Sequence, residues 1–130
     1  MLITSLIIPL TALCQINNYD NLVSKLKLKY KNNVATSKPK DIFINKFNKS
    51  IEIEGHQVSV DSVKAIYFFD NAAKSSYQNQ VKFECNTGNC IIYDVKNEKV
   101  SGLRIAFKTK QACYDFINIL SEIRKSMNNN

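Results

Sequence analysis

The sequence predicts a mainly β domain closed by one C-terminal α-helix, and three observations carry that expectation. The chain has 130 residues with 45% hydrophobic content, which suits one globular domain and not a disordered tail. Segment after segment alternates apolar and polar residues with a period of two, the mark of half-buried strands. Only after Lys110 does the period change to that of a helix.

Met1 to Ile16, MLITSLIIPLTALCQI, carries no charge. The run is shorter than the roughly 20 residues that span a bilayer, and Pro9 interrupts it. It fits a secretory leader over residues 1–14, with Ala12 and Cys14 as the small residues before cleavage and Gln15 as the new N-terminus. Its first residues lack the usual Lys or Arg. The competing readings are a lipid-anchored protein acylated at Cys14 and a retained apolar segment. Export to a periplasmic or extracellular space is the working expectation, with a single domain over 15–127 and a disordered tail at 128–130.

Asn21 to Lys31 places Leu22, Leu26, Leu28 and Tyr30 on one parity and Lys25, Lys27, Lys29 and Lys31 on the other, which predicts a strand. Asn32 to Lys40 is polar, contains Pro39, and is expected to be a loop. Strands follow at Asp41–Phe47 and Ser50–Glu54, then a Glu54-Gly55 turn and a strand at His56–Val60. Val63–Phe69, VKAIYFF, is apolar enough to suit a central strand. Asn71–Asn79 is expected as a surface loop, with further strands at Gln80–Cys85, Cys90–Lys96 and Gly102–Lys108. In the last element Cys113, Phe116, Ile117, Leu120 and Ile123 fall on one helical face, Thr109 stands ready as N-cap, and Arg124 and Lys125 sit in the last turn.

A single helix after antiparallel strands must bury its apolar stripe on a sheet or plug an open barrel end. On IEIEGHQVSVDSVKAIYFF and LRIAFKTKQACYDFINILSEI, over about residues 41–126, the chain resembles the PH-like barrel in its bacterial PH and GRAM-type forms. That resemblance implies an antiparallel barrel of about seven strands capped by the helix. It also implies a non-enzymatic role in binding lipid head groups, peptides or proteins. The alternatives are an α+β helix-on-sheet domain and an open barrel of another lineage.

Cys85-Asn-Thr-Gly-Asn-Cys90 is the most specific local feature. A short turn between the cysteines would set them opposite each other on paired strands, within disulfide range. An oxidising compartment would preserve the bond. Reduced packing cysteines and redox or metal chemistry are the other readings. A redox pair would favour Cys-x-x-Cys at a helix start, and zinc needs about four ligands where His56 is the one histidine. Cys113 lies on the helix's apolar face as a core residue.

The net charge of +7 is concentrated in residues 25–49, which hold eight lysines and one acid, Asp41. Lys, Asn and Ile together make 47 of 130 residues, so codon bias toward AT explains part of that excess. Two readings remain. The lysines form a solvated face that guards a strand against edge pairing. Alternatively Lys25, Lys27, Lys29, Lys31, Lys38 and Lys40 bind an anionic surface: phospholipid head groups, lipopolysaccharide, acidic glycan or an acidic partner protein. PH-like domains that bind phosphoinositides use basic residues around the first hairpin, which by resemblance suits this position. Nucleic acid fits poorly, because the stripe lacks Arg and an aromatic stacking set.

Enzyme chemistry has little to stand on. His56 beside a glycine turn is a surface residue rather than a base, and Glu52 and Glu54 on one strand face are solvated. No Ser/His/Asp set, phosphate loop or metal cluster is visible, and no cofactor is implied. Asp61-Ser62-Val63 resembles the short O-glycosylation pattern of exported Bacteroidota proteins, and Asn48-Lys49-Ser50 would be an N-glycosylation sequon in a eukaryote. The expected function is a non-enzymatic exported binding or scaffold module. The alternative is a membrane-surface protein working through the lysines.

Overall fold

The computed structural model describes residues 10–128. It is a mixed α/β fold: α1 (Leu10–Asn33), eight antiparallel strands, and α2 (Lys110–Asn128). The strands are β1 (Phe43–Asn45), β2 (Ser50–Ile53), β3 (His56–Ser59), β4 (Val63–Phe69), β5 (Asn79–Cys85), β6 (Ile91–Tyr93), β7 (Glu98–Val100) and β8 (Gly102–Phe107). They form a five-stranded sheet, β1-β2-β3-β6-β7, and a three-stranded sheet, β4-β5-β8.

The chain crosses between the sheets at residues 60–62, 86–90 and 101, so β3/β4, β5/β6 and β7/β8 act as three bent strands. Backbone bonds stitch this corner: Cys85 N–H to Ser101 O at 2.9 Å and Asn86 N–H to Ser62 O at 2.8 Å. Neither sheet closes on itself among the described residues. The expected barrel is therefore absent, and the arrangement is helices laid on open sheets, the α+β alternative. Mainly antiparallel strands followed by a C-terminal helix is the part of the expectation that holds.

The first element corrects the sequence reading. Residues 21–31 are helical, not a strand. Leu22, Leu26, Tyr30 and Val34 recur every four residues, which satisfies a helical face as well as a period of two, and all four are buried. Leu28, which completed the alternation, points to solvent at 61% exposure. Propensity favours the helix, since Leu and Lys lose little rotamer freedom in it and no β-branched run opposes it. The leader expected over 1–14, with its cleavage and acylation readings at Cys14, lies mostly outside the described residues. Its last residues, from Leu10, belong to α1.

α2 starts where the sequence places it. Thr109 Oγ1 accepts a hydrogen bond from Ala112 N–H at 3.0 Å, satisfying one orphan amide of the first turn. Cys113, Phe116, Leu120 and Ile123 are buried, and Ile117 is half-buried. The helix runs one residue past the expected end. Asn128, expected in the tail at 128–130, is helical and donates from Nδ2 to Asp61 Oδ1 at 3.0 Å; residues 129–130 lie outside the described residues.

Phe116 ties the layers together. Its ring lies 6.2 Å from that of Tyr30 on α1, 5.1 Å from Phe107 on β8 and 6.5 Å from Phe83 on β5. Two further differences concern strands. β6 ends at Tyr93, short of the strand expected over Cys90–Lys96, and a turn at 94–97 leads into an additional strand, β7, which pairs with β6. β4 matches its expected span but is an edge strand, with β5 at the centre.

Candidate functional site: a lysine-lined cleft beside α1

The helix redistributes the lysine stripe. At 3.6 residues per turn, residues two apart point about 200° apart, so the row splits into two. Lys25 and Lys29 lie on one flank, Lys27 and Lys31 on the other, with exposed Leu28 on the ridge between them. Lys29 is engaged: its Nζ lies 3.2 Å from Asp115 Oδ2 and joins α1 to α2. The Asp115 carboxyl is held below its ordinary value of 3.8, first by the Gln111 amide and then by Lys29.

The other flank faces the chain that returns from α1 to β1. Lys27, Lys31 and Lys40 line one cleft of about 290 Å³ with Ser24, Leu28, Tyr30, Pro39, Asp41 and Ile42. None of the three forms an ion pair with a described residue, and Asp41 is the one acid in the lining. The wall is fixed from inside, because Tyr30 and Ile42 are each 1% exposed. Lys38 is exposed on the same connection but does not line the cleft, and Lys25 belongs to the opposite flank. Three of six candidate lysines are therefore brought together. Such a cleft can hold a phosphate, sulfate or carboxylate group by charge, with an apolar floor beneath it.

Cys85 and Cys90 form the disulfide, with Cα atoms 5.7 Å apart. The expected hairpin around it is wrong, however. β5 pairs with β4 and β8, whereas β6 pairs with β3 and β7, so Cys85 stands opposite Val63 rather than Cys90. The bond closes the corner loop between the two sheets. Cys113 is free and fully buried, and burial pushes its thiol up to about 11.

The remaining chemistry-bearing residues have structural positions. The His56 ring stacks on Tyr93 at 4.7 Å, and its Nδ1 lies 2.7 Å from Glu54 O. The Glu54 carboxylate accepts a hydrogen bond from the Tyr30 hydroxyl, while Glu52 is exposed. Asp61 binds Arg124 Nε at 3.3 Å and Asn128, and Lys49 lies 3.8 Å away, so this corner is an ion-pair network. Ser62, in the glycosylation-like triplet, donates to Ser59 Oγ at 3.2 Å. Among the described residues no group of His, Cys, Asp and Glu could hold a metal ion, and no helix is long and apolar enough to cross a membrane.

Sequence reasoning missed the cleft because it placed the lysines on a strand. The signal that finds it is the four-residue spacing of Lys27 and Lys31 beside a buried row with the same spacing. No protein-family model, no curated protein and no solved structure matches the chain.

Proposed function

We propose that the chain is an exported, non-enzymatic binding module that engages anionic groups through Lys27, Lys31 and Lys40. The observation that carries this reading is the convergence on one cleft of three lysines with no ion-pair partner among the described residues, against a single acid in the lining. Grouping like charges raises the free energy of the unliganded protein, and an anionic ligand relieves it. Exposed Leu28 on the adjoining ridge adds an apolar contact that favours a phospholipid surface, the membrane-surface reading.

Export is supported by the disulfide, which persists in oxidising compartments. The non-enzymatic reading is supported by the structural engagement of His56 and the burial of the Cys113 thiol. A PH-like relationship has one support, the order of antiparallel strands followed by a closing helix, and α1 and the open sheets depart from that pattern.

The test is sedimentation with vesicles of phosphatidylglycerol and phosphatidylcholine, beside pure phosphatidylcholine vesicles and soluble polyglutamate. The wild type should bind the anionic vesicles at low salt and lose most binding at physiological salt, where the screening length is about 8 Å. Changing Lys27, Lys31 and Lys40 together to Gln should abolish binding, whereas Lys25→Gln should leave it. Failure to bind either polyanion at low salt overturns the reading. Binding to polyglutamate alone moves the partner from lipid to acidic protein.

A further inference from the structure

β4 is the longest of the strands that stand at a sheet edge. It is seven residues long, against three for β1 and three for β7, the two edges of the larger sheet. The edge of β8 is partly covered by the end of α1: Ala35 N–H donates to Ala106 O at 2.8 Å, and Lys108 N–H to Asn33 O at 2.7 Å. Among the described residues β4 pairs only with β5. It carries no Pro, no bulge and no inward-pointing charge, and exposed Lys64, near one end, is the one usual edge protection it has.

Which backbone groups stay open follows from the ladder. Asp70 N–H bonds Gln78 O, and Asn86 N–H bonds Ser62 O, so the even-numbered residues face β5. In an antiparallel pair, alternate residues bond to opposite sides. The N–H and C=O groups of Val63, Ala65, Tyr67 and Phe69 therefore point to the open edge.

We propose that this edge takes β4 of a second copy of the chain, antiparallel, to give a continuous six-stranded sheet across a two-fold axis at Tyr67. In this register Tyr67 bonds its counterpart, Ala65 bonds Phe69 of the second copy, and both belong to the open set of backbone groups. The side chains agree with the backbone. Lys64 falls opposite Asp70 of the second copy, twice by symmetry, and Ile66 falls opposite Phe68. On the core side, Phe69 of one copy meets Ala65 of the other, the smallest residue on the strand. Beside Ala65 lies a groove of about 190 Å³ between β4 and α2, lined by Val63, Ile117 and Leu120. Phe69 is 45% exposed and Ile66 38% exposed, so pairing covers the two large apolar side chains that β4 leaves in water. Shifting the register by two residues in either direction breaks the Lys64–Asp70 match.

Sedimentation velocity from roughly 1 µM to 1 mM at physiological salt tests the proposal. The wild type should be a dimer in the upper part of that range, and Phe69→Asp should be a monomer with an unchanged far-ultraviolet spectrum. Lys64→Glu and Asp70→Lys should each weaken dimerisation by roughly tenfold, and the double exchange should restore it. A wild type that stays monomeric throughout overturns the proposal, including when it instead binds an unrelated extended peptide. Loss of the dimer in Phe69→Asp without rescue by the charge exchange overturns the register.

Discussion

The Tyr30 hydroxyl donates a hydrogen bond to the Glu54 carboxylate, joining α1 to the turn between β2 and β3. Tyr30 is 1% exposed, so its phenol needs a partner in the interior. Glu54 needs holding for a different reason: its φ is 47°, in the left-handed region that a residue with a side chain seldom adopts. Gly55 follows at φ 70°, and the two form the tight turn that registers Ile53 against His56. The bond thus links α1, which carries Lys27 and Lys31, to the β2–β3 turn of the larger sheet.

Tyr30→Phe keeps the ring in its aromatic cluster and removes only the donor. Hydrogen bonds to charged groups contribute about 1.5–3 kcal/mol, and the part-exposed carboxylate can turn to water, so a loss near the lower figure is expected. Urea titration should show a lower midpoint with an unchanged slope. An unaltered midpoint would show that the bond contributes nothing net.

The same residues explain what was legible in the sequence. β4 and α2 were readable because their patterns admit one period each: VKAIYFF is too short and too β-branched and aromatic for a helix, and Cys113, Phe116, Leu120 and Ile123 fit no alternation. Residues 22–30 admit both periods, and Leu28 favours a strand by its parity although it stands mostly in solvent. Distant partners break such ties. Phe116, 86 residues after Tyr30, provides the packing surface that makes α1 a helix, and no local window contains that information. The disulfide was legible from spacing alone, since a five-residue separation brings the cysteines within reach whether the chain forms a hairpin or a corner. The cleft was not legible, because it depends on Lys40 meeting α1 from a separate segment.

The disulfide pins the corner where β5 leaves one sheet and β6 enters the other. Mapping under non-reducing conditions should find Cys85 linked to Cys90. The double Ala variant should still fold, losing roughly 2 kcal/mol by the chain-entropy model for so short a loop. Cys113 should be inert to thiol reagents at pH 8 until denaturant is added, because burial holds its thiol protonated. Rapid labelling of Cys113 in the native protein would contradict the packing of α2.

Acid should loosen the two helix attachments. Asp61 and Asp115 both sit below their ordinary 3.8, Asp61 chiefly through the Asn128 amide and Asp115 chiefly through that of Gln111. A carboxylate depressed by folding gives stability that is complete above its unfolded value and vanishes as pH falls through its folded one. Melting temperature should therefore be flat with respect to these groups above about pH 5 and fall below about pH 4. Asp61→Asn with Asp115→Asn should flatten that fall. Both groups are largely in water, so the stability they contribute above about pH 5, which the Asn variants lose, is small.

The four lysines of α1 should separate by position in a Gln series measured for stability at low salt. Lys29 spans to Asp115 with both side chains about one-third exposed, so Lys29→Gln removes an attraction between the helices. A surface ion pair contributes about 0–1 kcal/mol, so the loss should be small but measurable, and added salt should erase it. Lys27 and Lys31 have no described ion-pair partner and repel each other at i and i+4, so Lys27→Gln or Lys31→Gln should leave the melting temperature unchanged or raise it. If Lys27 and Lys31 only solvate the helix, replacing either should leave anion binding no more affected than replacing Lys25. If they form a ligand site, the two substitutions that cost no stability should cost the most anion binding. Loss of stability at Lys27 and Lys31 together with unaffected binding would assign the flank to folding and remove it from function.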